Sequence, residues 1–150
     1  MANMSNYLEN KVIDHLFRTS TFTQPAVLAI ALCTALPDDT STGATITEVA
    51  NSGSYARTAL NPLNANWTAT QGGTTGASSG TNGTTGNATA ITFPTATGSW
   101  GVVTHLAIVD SATWGAGNVL FWGALTASKT IGSGDVFTID VAGLSVQIDN

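Results

Sequence analysis

The hydrophobic positions of this chain change period once, near residue 20. Before it, Leu8, Val12, Ile13, Leu16 and Phe17 recur as a stripe of helical period. This predicts one α-helix over 5–18. Asn6 with Glu9 fits a capping box, the amide side chain taking an orphan N–H and the carboxylate reaching back. Lys11, Asp14 and Arg18 fall off the stripe, and Thr19-Ser20-Thr21 ends it. A lone helix of this length is marginal in water, so its stripe must dock on its own domain or on a neighbour.

After residue 20 the pattern is that of strands. Ala26–Thr34 is a continuous apolar run, suited to a strand covered on both faces, and Pro37-Asp38-Asp39 breaks it. Further candidates are Ser54–Leu60, Ala90–Phe93, Gly101–Asp110, Val119–Leu125, Asp135–Asp140 and Leu144–Asp149, with a weak one near Glu48–Ala50. About eight short strands, frequent turn signals and no later helix predict a sandwich or barrel. The chain reads as a single domain over 1–150, with the β-sandwich over 26–149.

Thr68–Thr89 interrupts the pattern. It is almost wholly Thr, Gly, Ser, Asn and Ala, with no charge. Such a segment buries too little to offset its ordering entropy. It reads as an extended surface loop, either a plain excursion or an arm ordered against a neighbouring subunit.

Composition narrows the function. Charged residues are 9% of the chain, against about 25% in an ordinary soluble domain, while 43% of it is hydrophobic. Solubility therefore rests on hydroxyls and amides. A surface so poor in charge resists association weakly, as suits a protein built into an assembly. The four basic residues, Lys11, Arg18, Arg57 and Lys129, are scattered, and net charge is −5. That argues against direct binding of nucleic acid or of an anionic membrane, and no stretch reaches the roughly 18 apolar residues of a membrane helix. The opening Met1–Asn6 has no basic-then-apolar leader, so synthesis in a cytoplasm is expected. Cys33, alone in an apolar run, reads as a buried, inert thiol.

The inventory for catalysis is thin. His15 and His105 do not form a metal set, and Asp38-Asp39 lacks the spacing of a calcium loop. No nucleophile elbow, phosphate loop or dinucleotide fingerprint occurs. No enzyme activity, metal or cofactor is expected. Asn66-Trp67-Thr68, Asn82-Gly83-Thr84 and Asn87-Ala88-Thr89 match the glycosylation acceptor, a pattern that a Thr/Asn-rich chain produces by chance. Of the tryptophans, Trp122 reads as core. Trp100 and Trp114 flank the Gly101–Asp110 strand, either plugging the ends of the sandwich or anchoring a contact from outside. The candidate contact residues are then Leu8, Val12 and Leu16 on the helix, Thr74, Thr75, Asn82 and Thr84 on the arm, and Trp100 and Trp114.

The segments SNYLENKVIDHLFR, VLAIALCTALPDD, SYART, AITFPTATGSWGVVTHLAIVD and NVLFWGALTASKTIGSGDVFTID resemble a family of small tailed-phage virion proteins known as tail-fibre or capsid decoration (cement) proteins. The resemblance runs through most of the chain outside the Thr/Gly insert. It implies a jelly-roll-like sandwich, an architecture common in capsid proteins, and carries no catalytic residues over. The leading expectation is a cement protein, made in the bacterial host cytoplasm. As a homotrimer it would sit on the outer capsid surface and stabilise the major capsid protein shell. The runner-up is a tail or fibre component that helps recognise the host.

Overall fold

Residues 3–148 are described by the structure, a computed structural model. Strand β1 (Asn3–Met4) leads into helix α1 (Asn6–Phe17). Strands β2 (Ala29–Cys33), β3 (Thr58–Ala59), β4 (Thr84–Gly86), β5 (Ile91–Thr92), β6 (Gly101–Val109), β7 (Val119–Ile131), β8 (Thr138–Ile139) and β9 (Ser145–Gln147) follow. The architecture is mainly β with one N-terminal helix, as the sequence predicts. A five-stranded antiparallel sheet in the order β1-β7-β6-β2-β3 is accompanied by two antiparallel ladders, β4-β9 and β5-β8.

Strand alternation divides the core into two clusters. Ile30, Leu32, Val103 and Ile108 point from one face of the main sheet. They meet Ile91, Phe93, Phe137, Ile139, Leu144 and Val146 from the two ladders and their flanks. Aromatic contacts tie this cluster together: Tyr55 meets Trp100 edge-on at 5.2 Å and Phe93 meets Phe137 edge-on at 5.7 Å. The opposite face carries Ala29, Ala31, Cys33, Ala107, Val109 and Val119, packed with Ile46. Small residues there let the connecting segments lie close to the sheet. Every residue of β2 is buried, as a run covered on both faces requires.

The structure corrects several local expectations. Ser5, not Asn6, caps the helix: its Oγ accepts the Leu8 N–H at 3.3 Å and also donates to the Val119 carbonyl, pinning the helix start to the sheet. The Ser54–Leu60 candidate shortens to β3, and Glu48–Ala50 reduces to a single bridge between Cys33 and Glu48. Strand β7 runs on past Leu125 to Ile131, with Leu125–Ser128 bulging opposite Thr104 alone. Part of the Thr/Gly segment is itself a strand: β4 pairs Thr84 with Gln147 and Gly86 with Ser145. The end of the last candidate strand, Asp149, lies outside the described residues.

Candidate interaction surface

The helix is docked only at its start. Leu8 is buried and Val12 half-buried, whereas Ile13, Leu16 and Phe17 are 50%, 64% and 80% exposed. The stripe that predicted the helix therefore runs off the body of the domain, and its distal half is bare. Arg18 bonds Asp14 at 3.2 Å beside it, an exposed pair of little energetic weight.

The Thr/Gly segment is compact rather than an extended arm. Gln71 is its centre: Nε2 donates to the Ala77 carbonyl at 3.0 Å, and Oε1 accepts the Ser79 N–H at 2.8 Å. Thr70 Oγ1 accepts the Gly80 N–H at 2.8 Å, closing the loop on itself. Thr74, Thr75 and Asn82 remain exposed on this loop, while Thr84 is half-buried in β4.

Beneath the loop lies an open cleft of about 400 Å³. Leu28, Ile108, Leu120, Phe121 and Val146 line it, and Trp67 stands at its side with its indole N–H held by the Leu60 carbonyl at 3.0 Å. Thr74 and Gly76 to Ser78 from the loop and Pro62 to Asn64 also contribute, and no lining side chain is charged. A smaller hollow of about 150 Å³ shares Ile108, Phe121 and Val146 with it. Of the sequence-predicted contact residues, the cleft gathers Thr74; those on the helix are not among its lining.

Both flanking tryptophans have their indole nitrogens tied inward. Trp100 is 5% exposed and donates to the Gly53 carbonyl at 2.8 Å, so it belongs to the core and presents no outer face. Leu8 leaves the contact set for the same reason. Trp114 donates to the Val49 carbonyl at 2.9 Å yet keeps 43% of its surface exposed. Trp122 is half-buried against the smaller core cluster.

Much of the interior's polar chemistry holds loops, while among the described residues Asn61 Oδ1 and Trp122 Nε1 are buried without a partner. Arg57, one of the four basic residues scattered along the sequence, is buried against Glu48, with Nη2 2.7 Å from Oε2. Its Nε donates to Glu48 Oε1 at 2.9 Å, and its other N–H groups reach the carbonyls of Gly43, Ser111 and Ala116. Tyr55 donates to Glu48 Oε1 at 2.8 Å and accepts the Leu32 N–H at 2.9 Å. Burial first, then the Glu48 carboxylate, raises the Tyr55 hydroxyl far above its ordinary value. Burial likewise pushes the Cys33 thiol up to about 12, with Glu48 adding and Arg57 opposing, so the thiol stays protonated and unreactive. Asp38 spends its carboxylate on its own turn: hydrogen bonds from Thr40 and Ser41 hold it below the usual carboxylate range. Among the described residues no three His, Cys, Asp or Glu side chains gather, and no helix is long and apolar enough to cross a membrane.

The SYART string was the one sequence signal for the Arg57 network. It contributes to the resemblance, but nothing in its local pattern says that the arginine turns inward. No curated protein matches the chain. A family model, that of the podophage GP4 fiber I protein gp80, matches residues 3–147. A mainly β chain with a half-docked helix and an uncharged cleft, matched by that model over nearly its whole length, thus belongs to this family of phage virion structural proteins.

Proposed function

We propose that this chain is a fibre-type structural subunit of a tailed-phage virion, seated on a neighbouring subunit through the bare end of its helix. Family membership over 3–147 supports the fibre assignment. The observation that carries the seating is the exposure of Ile13, Leu16 and Phe17 on one short helix. Such a group costs solubility when free and contributes about 25 cal/mol per Å² when covered. The protein does no chemistry in this reading: the buried Arg57–Glu48–Tyr55 network is spent on joining loops.

A second reading, a cement protein trimer on the outer capsid surface, draws support from shape and charge. The chain has no shaft-like repeat, and a charge-poor block packs into a dense lattice with little repulsion. Binding only the assembled major capsid protein shell would add its binding free energy against disassembly. Counting copies against the major capsid protein in purified particles separates the two. About a dozen or fewer copies fit a fibre position. Hundreds overturn it in favour of cement.

A further inference from the structure

The fold treats Asn82 unlike the asparagines it uses structurally. Asn87 is buried, its Nδ2 donating to the Thr89 and Asp140 carbonyls at 2.8 Å each and its Oδ1 accepting the Leu144 N–H at 2.8 Å. Asn118 has its Nδ2 on Asp110 at 2.8 Å, and Asn66 on the Asn61 carbonyl at 3.0 Å. Asn82 is exposed at the end of the Thr/Gly loop, and among the described residues its amide nitrogen is held by nothing. Its single side-chain bond is at Oδ1, which accepts the Thr84 N–H at 3.1 Å. The residue between them is glycine, at φ +55°, with no Cβ to shield its nitrogen. Among the described residues that Gly83 N–H also donates to no partner.

We infer that Asn82–Gly83 is a site of spontaneous, one-way modification: deamidation through a cyclic imide. The Gly83 backbone nitrogen attacks Cγ of Asn82. An N–Cγ bond forms, the Cγ–Nδ2 bond breaks, and ammonia departs carrying the proton lost from Gly83. Water then opens either carbonyl of the ring, leaving aspartate or an isoaspartyl linkage at 82; no electrons are exchanged with any other group. The Thr84 N–H on Oδ1 polarises the carbonyl under attack and faces the oxygen on which negative charge develops.

The position gives the event a structural readout. The Gly83 carbonyl accepts the Ile148 N–H at 3.0 Å, and β4 begins at the next residue. An isoaspartyl linkage inserts an extra backbone carbon just before that bond and pulls Thr84–Gly86 out of register with β9. Either product also places a carboxylate in Thr68–Thr89, a segment that holds no charge. Ageing of the particle thus changes the charge and the attachment of this loop.

The test is to hold the purified full chain at neutral and at mildly alkaline pH and map its peptides by mass spectrometry with fragmentation that distinguishes isoaspartate. Asn82 converts first and faster in the alkaline sample, and Asn87 stays intact. Gly83→Ala slows conversion several-fold. Gly83→Asp, which tolerates the left-handed backbone, slows it likewise and guards against an unsettled loop. Hydrogen exchange at Thr84–Gly86 rises in the converted fraction. Asn82 remaining intact while another asparagine converts overturns the assignment, as does an unchanged rate in both Gly83 variants. Conversion that leaves exchange at β4 unaltered overturns its structural consequence.

Discussion

Replacing Arg57 by alanine is the sharpest perturbation of this fold. The side chain is fully buried and donates through all of its nitrogens. Nε and Nη2 hold the two oxygens of Glu48 at 2.9 and 2.7 Å. The other bonds fix Gly43, Ser111 and Ala116, which lie on two separate loops. Truncation leaves the Glu48 carboxylate, itself 2% exposed, with the Tyr55 hydroxyl as its remaining partner. Breaking a buried pair by removing one member costs about 3–5 kcal/mol, because a desolvated charge is left behind. Against a total stability of about 5–15 kcal/mol this is a large share. It lowers Tm by roughly 6–20 °C for a chain of this size. Urea denaturation of Arg57→Ala should show a lower midpoint with an unchanged slope. Arg57→Lys should be little better, since an ammonium cannot reproduce the planar fork that spans a carboxylate and three carbonyls. The double variant Arg57→Met/Glu48→Leu should be less destabilised than the two single changes added together, because no unpaired charge remains. A loss under about 1 kcal/mol for Arg57→Ala would refute the view that this pair joins the loops to the sheet.

Other consequences follow from single sites. The Cys33 thiol ionises near 9.0 when free and at about 12 in the fold, so its contribution is present below pH 9 and lost as pH climbs toward 12. The Cys33 contribution should fall by about 1 kcal/mol between pH 9 and 10, with a shallower slope in Cys33→Ala, and native protein should resist alkylation that proceeds in denaturant. Asn87→Ala orphans the Leu144 N–H and two carbonyls inside the chain and should cost about 1–3 kcal/mol by thermal melting. Excising residues 71–80 should leave stability within about 0.5 kcal/mol, since that stretch is exposed. Extending the deletion through Gly86 removes the partner of β9 and should cost several times more.

How much of this could be read in advance depends on the range of the forces involved. Strands β2 and β6 and the start of β7 announce themselves because apolar runs such as Leu28–Cys33 carry their own evidence. The helix was legible for the same reason, although its cap was not. Ser5 is chosen over Asn6 because its hydroxyl also reaches the Val119 carbonyl, a partner far away in sequence. Strand β4 has no apolar alternation and exists because β9 offers it a ladder above Val146. Arg57 and Trp100 were hidden likewise: a lone arginine reads as solvated and a tryptophan beside glycines reads as either face. Only the meeting of Glu48, Gly43 and Ala116 with the first, and of Gly53 with the second, decides their burial.

In the proposed function, attachment runs through the undocked end of the helix. Leu16→Glu/Phe17→Glu changes two residues that are 64% and 80% exposed, so the isolated variant should melt within about 2 °C of the parent. The decisive measurement is the amount of this variant in gradient-purified particles, quantified against the major capsid protein. Seating through the helix predicts a folded protein that is absent from the particles. Incorporation at the parental level would contradict it.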